Sequence, residues 1–111
     1  MLDKEYISDQ WLLKFSIVAI LGELGEPKAF DLLQEAVQSD NLLLQATAIA
    51  SLGELADHRA IPILLSFVSH EDWQIRHRLA QALKHFDTPE IKEALQKLAN
   101  DEIEIVAQEA K

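Results

Sequence analysis

The chain has 111 residues, is 49% hydrophobic, carries a formal net charge of −9 and contains no cysteine. It is long enough for one small domain with a core, or for one piece of a longer array, and it excludes disulfides, thiolate metal sites and a cysteine nucleophile. An acidic surface repels phosphate backbones, so nucleic acid is not an expected partner.

No apolar run reaches the ~20 residues needed to cross a bilayer, so no membrane insertion is expected. The most apolar stretch, Leu12 to Leu21, is interrupted by Lys14 and Ser16. The opening Met1-Leu2-Asp3-Lys4-Glu5-Tyr6 is too acidic and polar for a secretory signal. With the absence of cysteine, this reads as a cytoplasmic protein.

Residues 1–8 read as a tail or the remnant of a preceding repeat, and residues 9–111 as one repeat domain. Its organisation comes from a 31-residue period: Leu21-Gly22-Glu23-Leu24-Gly25 recurs as Leu52-Gly53-Glu54-Leu55-Ala56 and, worn, as Leu83-Lys84-His85-Phe86-Asp87. A period in this range marks stacked units that share one elongated core. The first helix of each unit is predicted over Gln10–Leu24, Leu42–Leu55 and Trp73–Phe86. Apolar residues recur there at helical spacing: Leu44, Ala48, Leu52 and Leu55, then Ile75, Leu79, Ala82, Leu83 and Phe86. Gly22 and Gly53 sit inside these helices, where glycine costs up to ~1 kcal/mol against alanine; close helix packing would explain them.

The second helices are predicted from Pro27 to Gln38, Arg59 to Ser69 and Pro89 to Ala99. Proline is tolerated in a first helical turn, and Asp57 and Thr88 are N-cap candidates. Their core positions read Leu32, Leu33, Ala36 and Val37, then Ala60, Ile63, Leu64, Phe67 and Val68, then Ile91, Ala94, Leu95, Leu98 and Ala99. Short polar connectors, Ser39-Asp40-Asn41 and His70-Glu71-Asp72, turn successive helices antiparallel. A last helix over Ile103–Lys111 opens a fourth unit. The expected fold is all-α, a right-handed α-solenoid of three helical pairs plus a terminal helix.

The run Asp72-Trp73-Gln74-Ile75-Arg76 followed by Leu79-Ala80-Gln81-Ala82-Leu83 resembles the HEAT repeat. Together with Leu21-Gly22-Glu23-Leu24-Gly25-Glu26-Pro27-Lys28-Ala29, it is most like the short phycobilisome-lyase-type HEAT-like repeats of cyanobacteria. That resemblance implies a non-catalytic scaffold or adaptor that binds another protein, with a phycobiliprotein as one such partner and no cofactor. The enzymatic alternative it carries is part of a bilin lyase or chromophore-detaching factor. The same scaffold serves unrelated adaptors and enzymes, so the resemblance speaks to fold more than to function.

In HEAT families a basic residue early in the first helix typically bonds an acid at the inter-helix turn. Lys14, Gln45 and Arg76 occupy that basic position, and Glu26 and Asp57 the acidic one. The structural reading is a ladder between repeats. Residues 73–97 reverse the overall charge, with Arg76, Arg78, Lys84, Lys92 and Lys97 against Asp87, Glu90 and Glu93. Arg76, His77 and Arg78 there are a second-choice docking patch for an acidic partner, or else an unevenly charged solvated surface.

His77 stands where deoxyhypusine hydroxylase, a HEAT-repeat enzyme, places an iron-binding histidine. Arg78 follows where that site needs a carboxylate, and one imidazole cannot build a two-metal cage. His58, His70, His77 and His85 share no ligand spacing, so no metal site is expected.

Leu65 is the more useful anomaly. Its equivalents are Gln34 and Gln96, so the position is expected to face solvent on the second-helix surface. Pro62 and Ser66 beside it replace charged residues of the flanking units, leaving an apolar centre with a charged rim. Gln34, Pro62, Leu65, Ser66 and Gln96 are therefore the leading partner-binding set; a scattered surface leucine is the plainer reading. Trp11 and Trp73 align with Leu42 at helix starts, for end-of-helix packing or for contact with a partner.

Overall fold

The computed structural model describes residues 29–111, with side chains from Phe30 onward. The predicted first helix Gln10–Leu24, and with it Trp11, Lys14, Gly22, Glu26 and Pro27, lies outside the described residues. Those described contain six α-helices and no strand: α1 (Ala29–Ala36), α2 (Leu42–Leu55), α3 (Ile61–Leu65), α4 (Trp73–Leu83), α5 (Pro89–Leu98) and α6 (Glu104–Ala110). A 3-10 turn, His58–Ala60, leads into α3. First helices pack side by side, α2 on α4 and α4 on α6, while α3 meets α5. The all-α expectation holds, and the repeat unit is a pair of helices.

The starts of these helices follow from their caps. The Asn41 side chain accepts the Leu44 N–H, Asp72 that of Gln74, Asp57 that of Arg59 and Thr88 that of Ile91. Each satisfies one of the donors that a helix start leaves unpaired. The connectors repeat a second device at the same offset. Ser39 Oγ accepts the Asn41 N–H at 3.0 Å, His70 Nδ1 that of Asp72 at 3.0 Å, and Asp101 Oδ1 that of Ile103 at 2.8 Å. Three different side chains thus serve one turn, because any short acceptor two residues ahead closes it.

The core runs continuously through Leu33, Val37, Ile49, Leu52, Leu64, Ile75, Leu79, Leu83, Ile91, Leu98 and Val106, all essentially without solvent contact. Phe86, predicted as core, is buried beyond the end of α4; the Phe86 N–H bonds the Leu83 carbonyl in a tighter turn. The second helix of the middle unit departs further from expectation. It was predicted as Arg59 to Ser69, but α3 ends at Leu65. Ser66, Phe67 and Val68 then donate to carbonyls three residues back, and Ser66 Oγ bonds the Ile63 carbonyl at 2.6 Å. Such i−3 bonds tighten the chain out of α geometry.

Gly53 explains its own presence. A Cβ there would lie 2.6 Å from Ala82 Cα and 2.9 Å from the Ala82 carbonyl oxygen, so α2 meets the backbone of α4 directly. Helix α2 is closed by Ala56, whose φ of 55° is left-handed, where the first unit carries Gly25. L-residues other than glycine pay roughly 1 kcal/mol there.

Substitutions at Gly53 and at Ala56 are expected to move stability in opposite directions. Gly53→Ala is expected to lower unfolding stability by about 1–2 kcal/mol, overpacking outweighing better helix propensity. Adding Ala82→Gly should restore it at most in part, since the Ala82 Cα and carbonyl oxygen obstruct alongside its Cβ. Ala56→Gly is expected to raise stability by about 0.5–1 kcal/mol. Chemical denaturation of the three variants measures both effects.

Candidate functional site

Arg76 is held, not presented. It projects from the first turns of α4 with its side chain 12% exposed, against a 10% exposed Asp101 in the connector between α5 and α6. Arg76 Nε meets Asp101 Oδ2 at 2.7 Å and Nη2 meets Oδ1 at 3.2 Å, a two-pronged pair. Nη1 donates to the His70 carbonyl at 2.7 Å and to that of Glu71 at 3.3 Å. One guanidinium therefore ties together the connectors at both ends of the third unit. Gln45, at the same repeat position, does half of this by donating Nε2 to the Val37 carbonyl at 3.0 Å.

The inter-repeat ladder expected at this position is present, but its acid is Asp101 rather than Asp57. Asp57 instead clasps Arg59, with Nη2 to Oδ2 at 2.7 Å, and the Arg59 guanidinium lies 4.2 Å from the centre of the Phe30 ring. The reason is reach: Arg76 begins its helix beside the inter-unit connectors, whereas Asp57 follows the far end of a first helix.

His77 is also engaged. Its Nε2 is 3.3 Å from Glu109 Oε1, while Lys84 Nζ reaches Glu109 Oε2 at 3.1 Å and Gln81 Nε2 reaches Oε1 at 3.3 Å. Glu109 thus staples α6 to α4. Arg78 alone of the trio is exposed and makes no ion pair among the described residues. Of the patch Arg76–His77–Arg78, the first two side chains are thus engaged within the fold, and Arg78 is left exposed.

On the other surface, Gln34, Pro62, Ser66 and Gln96 are exposed as expected. Leu65 is less exposed than its repeat equivalents. It is half-buried, packed against the core, and lines a shallow groove with Val68, Ala94, Glu90, Glu93 and Lys97. The result is an apolar floor with a charged rim.

A second groove, of about 410 Å³, crosses the amino-terminal ends of the first helices. Leu42, Leu43, Trp73 and Ile105 line it, and these are the large apolar side chains exposed among the described residues, at 49, 60, 39 and 50%. Trp73 had been aligned with Leu42 from the sequence. Leu43 and Ile105 had not been singled out, although both occupy the second position of a first helix and could have been found by the same alignment.

Paired helices repeating every 31 residues, with side-chain ties between connectors, define a helical repeat protein. Residues 5–69 match the family model of HEAT repeats, more than half of the chain, and the chain belongs to that family. Proteins built of HEAT repeats commonly bind other proteins. No curated protein and no solved structure matches the chain. No described helix is long and apolar enough to cross a membrane.

The Arg76 tie has a pH signature. Hydrogen bonds from Arg76, then from the Ile103 N–H, outweigh burial and hold the Asp101 carboxyl below its ordinary range. A carboxyl lowered in the folded state stabilises above its unfolded pKa of about 3.9, and that contribution is lost as pH falls through the lower folded value. Glu109 is lowered likewise, first by Lys84. Arg76→Gln is expected to cost about 2–3 kcal/mol at neutral pH, between exposed and fully buried pairs. Asp101→Asn should make the stability profile measurably flatter below about pH 4. Urea unfolding from pH 7 to 2 reads both.

Proposed function

We propose that the chain is a non-catalytic, cytoplasmic protein-interaction scaffold that binds through its second-helix surface. The observation that carries this is the groove at Leu65. An apolar floor of Leu65, Val68 and Ala94 is framed by Glu90, Glu93 and Lys97, with Pro62 one turn before Leu65 and Ser66 next to it. Burial of a small apolar centre inside a polar rim is how protein interfaces obtain both affinity and orientation. Gln34 and Gln96, exposed at the equivalent positions of the neighbouring second helices, extend the surface along the array. Arg76 supports it by fixing the connectors, and His77 by facing Glu109 on α6, rather than by touching the partner.

For the partner we propose a phycobiliprotein. That choice rests on the wording of the repeats from Asp72 to Leu83 and from Leu21 to Ala29, not on the groove. In the scaffold reading the bound phycobiliprotein keeps its bilin spectrum, whereas a lyase part would change it.

Titration of the chain into a purified phycobiliprotein, followed by calorimetry and visible absorbance, tests both statements. Complex formation without spectral change is expected. Leu65→Gln, which copies the flanking units, and Pro62→Glu, which copies Glu93, should each weaken it by about tenfold or more. Leu65→Gln should lower stability by about 1 kcal/mol, since only part of a leucine's burial is lost. Binding unaffected by both substitutions would remove this face from the proposal. No binding would remove the phycobiliprotein, and a shifted bilin band would replace scaffold by lyase.

A further inference from the structure

The groove over the first helices is a different surface with its own chemistry. Leu42 and Leu43 open α2, Trp73 opens α4 and Ile105 lies in the first turn of α6. Nothing in the core requires large apolar residues at these positions: Glu104 replaces them at one and Gln74 at another, both exposed. Yet the four exposed apolar side chains converge on one groove, whose deeper wall includes Ala46 and the fully buried Ile75. Scattered exposed leucines are ordinary; convergence in one concave site is the mark of a binding surface.

Size and charge together define the occupant. Four half-exposed side chains offer a few hundred Å², well short of the roughly 800 Å² that each partner buries in a standard interface between folded chains. A short segment fits; a second copy of the chain is under-supplied. The row crosses three adjacent first helices, about two interaxial distances or roughly 16–20 Å. An α-helix covers that with apolar residues at i, i+3 or i+4, i+7 and i+11, at 1.5 Å per residue.

The charge comes from Arg78. It lines the groove, is exposed and makes no ion pair among the described residues. The two other charged or titratable liners are engaged: His77 with Glu109, and Asp72 with the Gln74 N–H at the start of α4, where the helix dipole offsets its charge. Glu71 and Glu104, exposed nearby, do not line the groove. The uncommitted charge in the groove is thus a guanidinium, which pairs best with a carboxylate.

We propose that this groove binds an amphipathic helical segment of a partner protein, its apolar stripe on Leu42, Leu43, Trp73 and Ile105 and an Asp or Glu on its flank against Arg78. The proposal shares with the scaffold reading the premise that the chain binds proteins, but it uses a separate face.

A displayed library of amphipathic helical segments, on the order of 18 residues or five turns, is selected against the full chain. Enrichment of the i, i+3 or i+4, i+7, i+11 apolar pattern flanked by Asp or Glu is expected. Binding of the selected segments should fall about tenfold or more with Leu43→Glu. Arg78→Glu should shift the selected flank to Lys or Arg, and Leu65→Gln should leave binding unchanged. Both Leu43 and Arg78 are exposed, so these variants are expected to fold, which their thermal unfolding checks. No enrichment, a flank indifferent to Arg78→Glu, or segments insensitive to Leu43→Glu would each overturn the proposal. Segments lost with Leu65→Gln but kept with Leu43→Glu would overturn it too and leave the second-helix scaffold standing. Sedimentation showing a dimer that Leu43→Glu dissociates would assign the groove to a second copy instead.

Discussion

The close approach of α2 and α4 at Gly53 is the constraint on which the other features depend. With no Cβ on one side and the Ala82 backbone on the other, the first helices pack closely where the first-helix signature is most regular. Small residues follow from it: Ala48, Ser51, Ala80 and Ala82 are all buried. A layer of small residues buries little apolar area per residue, so the large side chains must lie elsewhere along the unit. Leu52, Leu64, Leu79, Leu83 and Ile91 supply the floor between layers. At the helix starts, beyond the close contact, Leu42, Leu43, Trp73 and Ile105 meet solvent instead.

Holding the units in register falls to the connectors. Each has few residues, and each carries one acceptor that bonds the N–H two residues on, as Ser39, His70 or Asp101 does. Asp101 does this while also receiving Arg76, so its two oxygens serve the turn and the tie together. A neutral serine can perform only the first task. The position equivalent to Arg76 weakens in step: Gln45 reaches one connector, Arg76 two, and Ala107 in the last unit none. A partly buried charged tie is stable only where its hydrogen bonds are this well satisfied.

Much of the fold was legible because periodicity and caps agree. The bounds of α2, Leu42–Leu55, and the N-caps Asp57 and Thr88 follow from the sequence, as do nearly all the core positions. Phe30, Ile49 and Ala80 are buried outside the periodic positions the sequence singles out, Ile49 and Ala80 at one shared repeat position. The middle second helix was misread for a local reason: Ser66 replaces Glu35 and Lys97, and its hydroxyl competes for a backbone carbonyl. Leu65, the last residue of that helix, is half-buried where its repeat equivalents Gln34 and Gln96 are exposed. Arg76 was recognised as a ladder residue, but which acid answers it depends on the stacking of units, which is a three-dimensional fact.

Equivalent positions that disagree in chemistry separate what the stack needs from what it tolerates. Positions that build the layer vary within narrow limits, as Leu44, Ile75 and Val106 do, or Leu52 and Leu83. Positions that do not build it vary in kind: Gln34, Leu65 and Gln96 on one surface, Leu42, Trp73 and Glu104 on the other. Neighbouring units carry an exposed polar residue at the equivalent places, so the repeat itself does not demand an apolar one there. An exposed or half-exposed large apolar side chain favours association and lowers solubility without adding much to the core. Where the chain carries one beside a polar counterpart in the next unit, the repeat pattern alone does not call for it. The two grooves are the places where these departures collect.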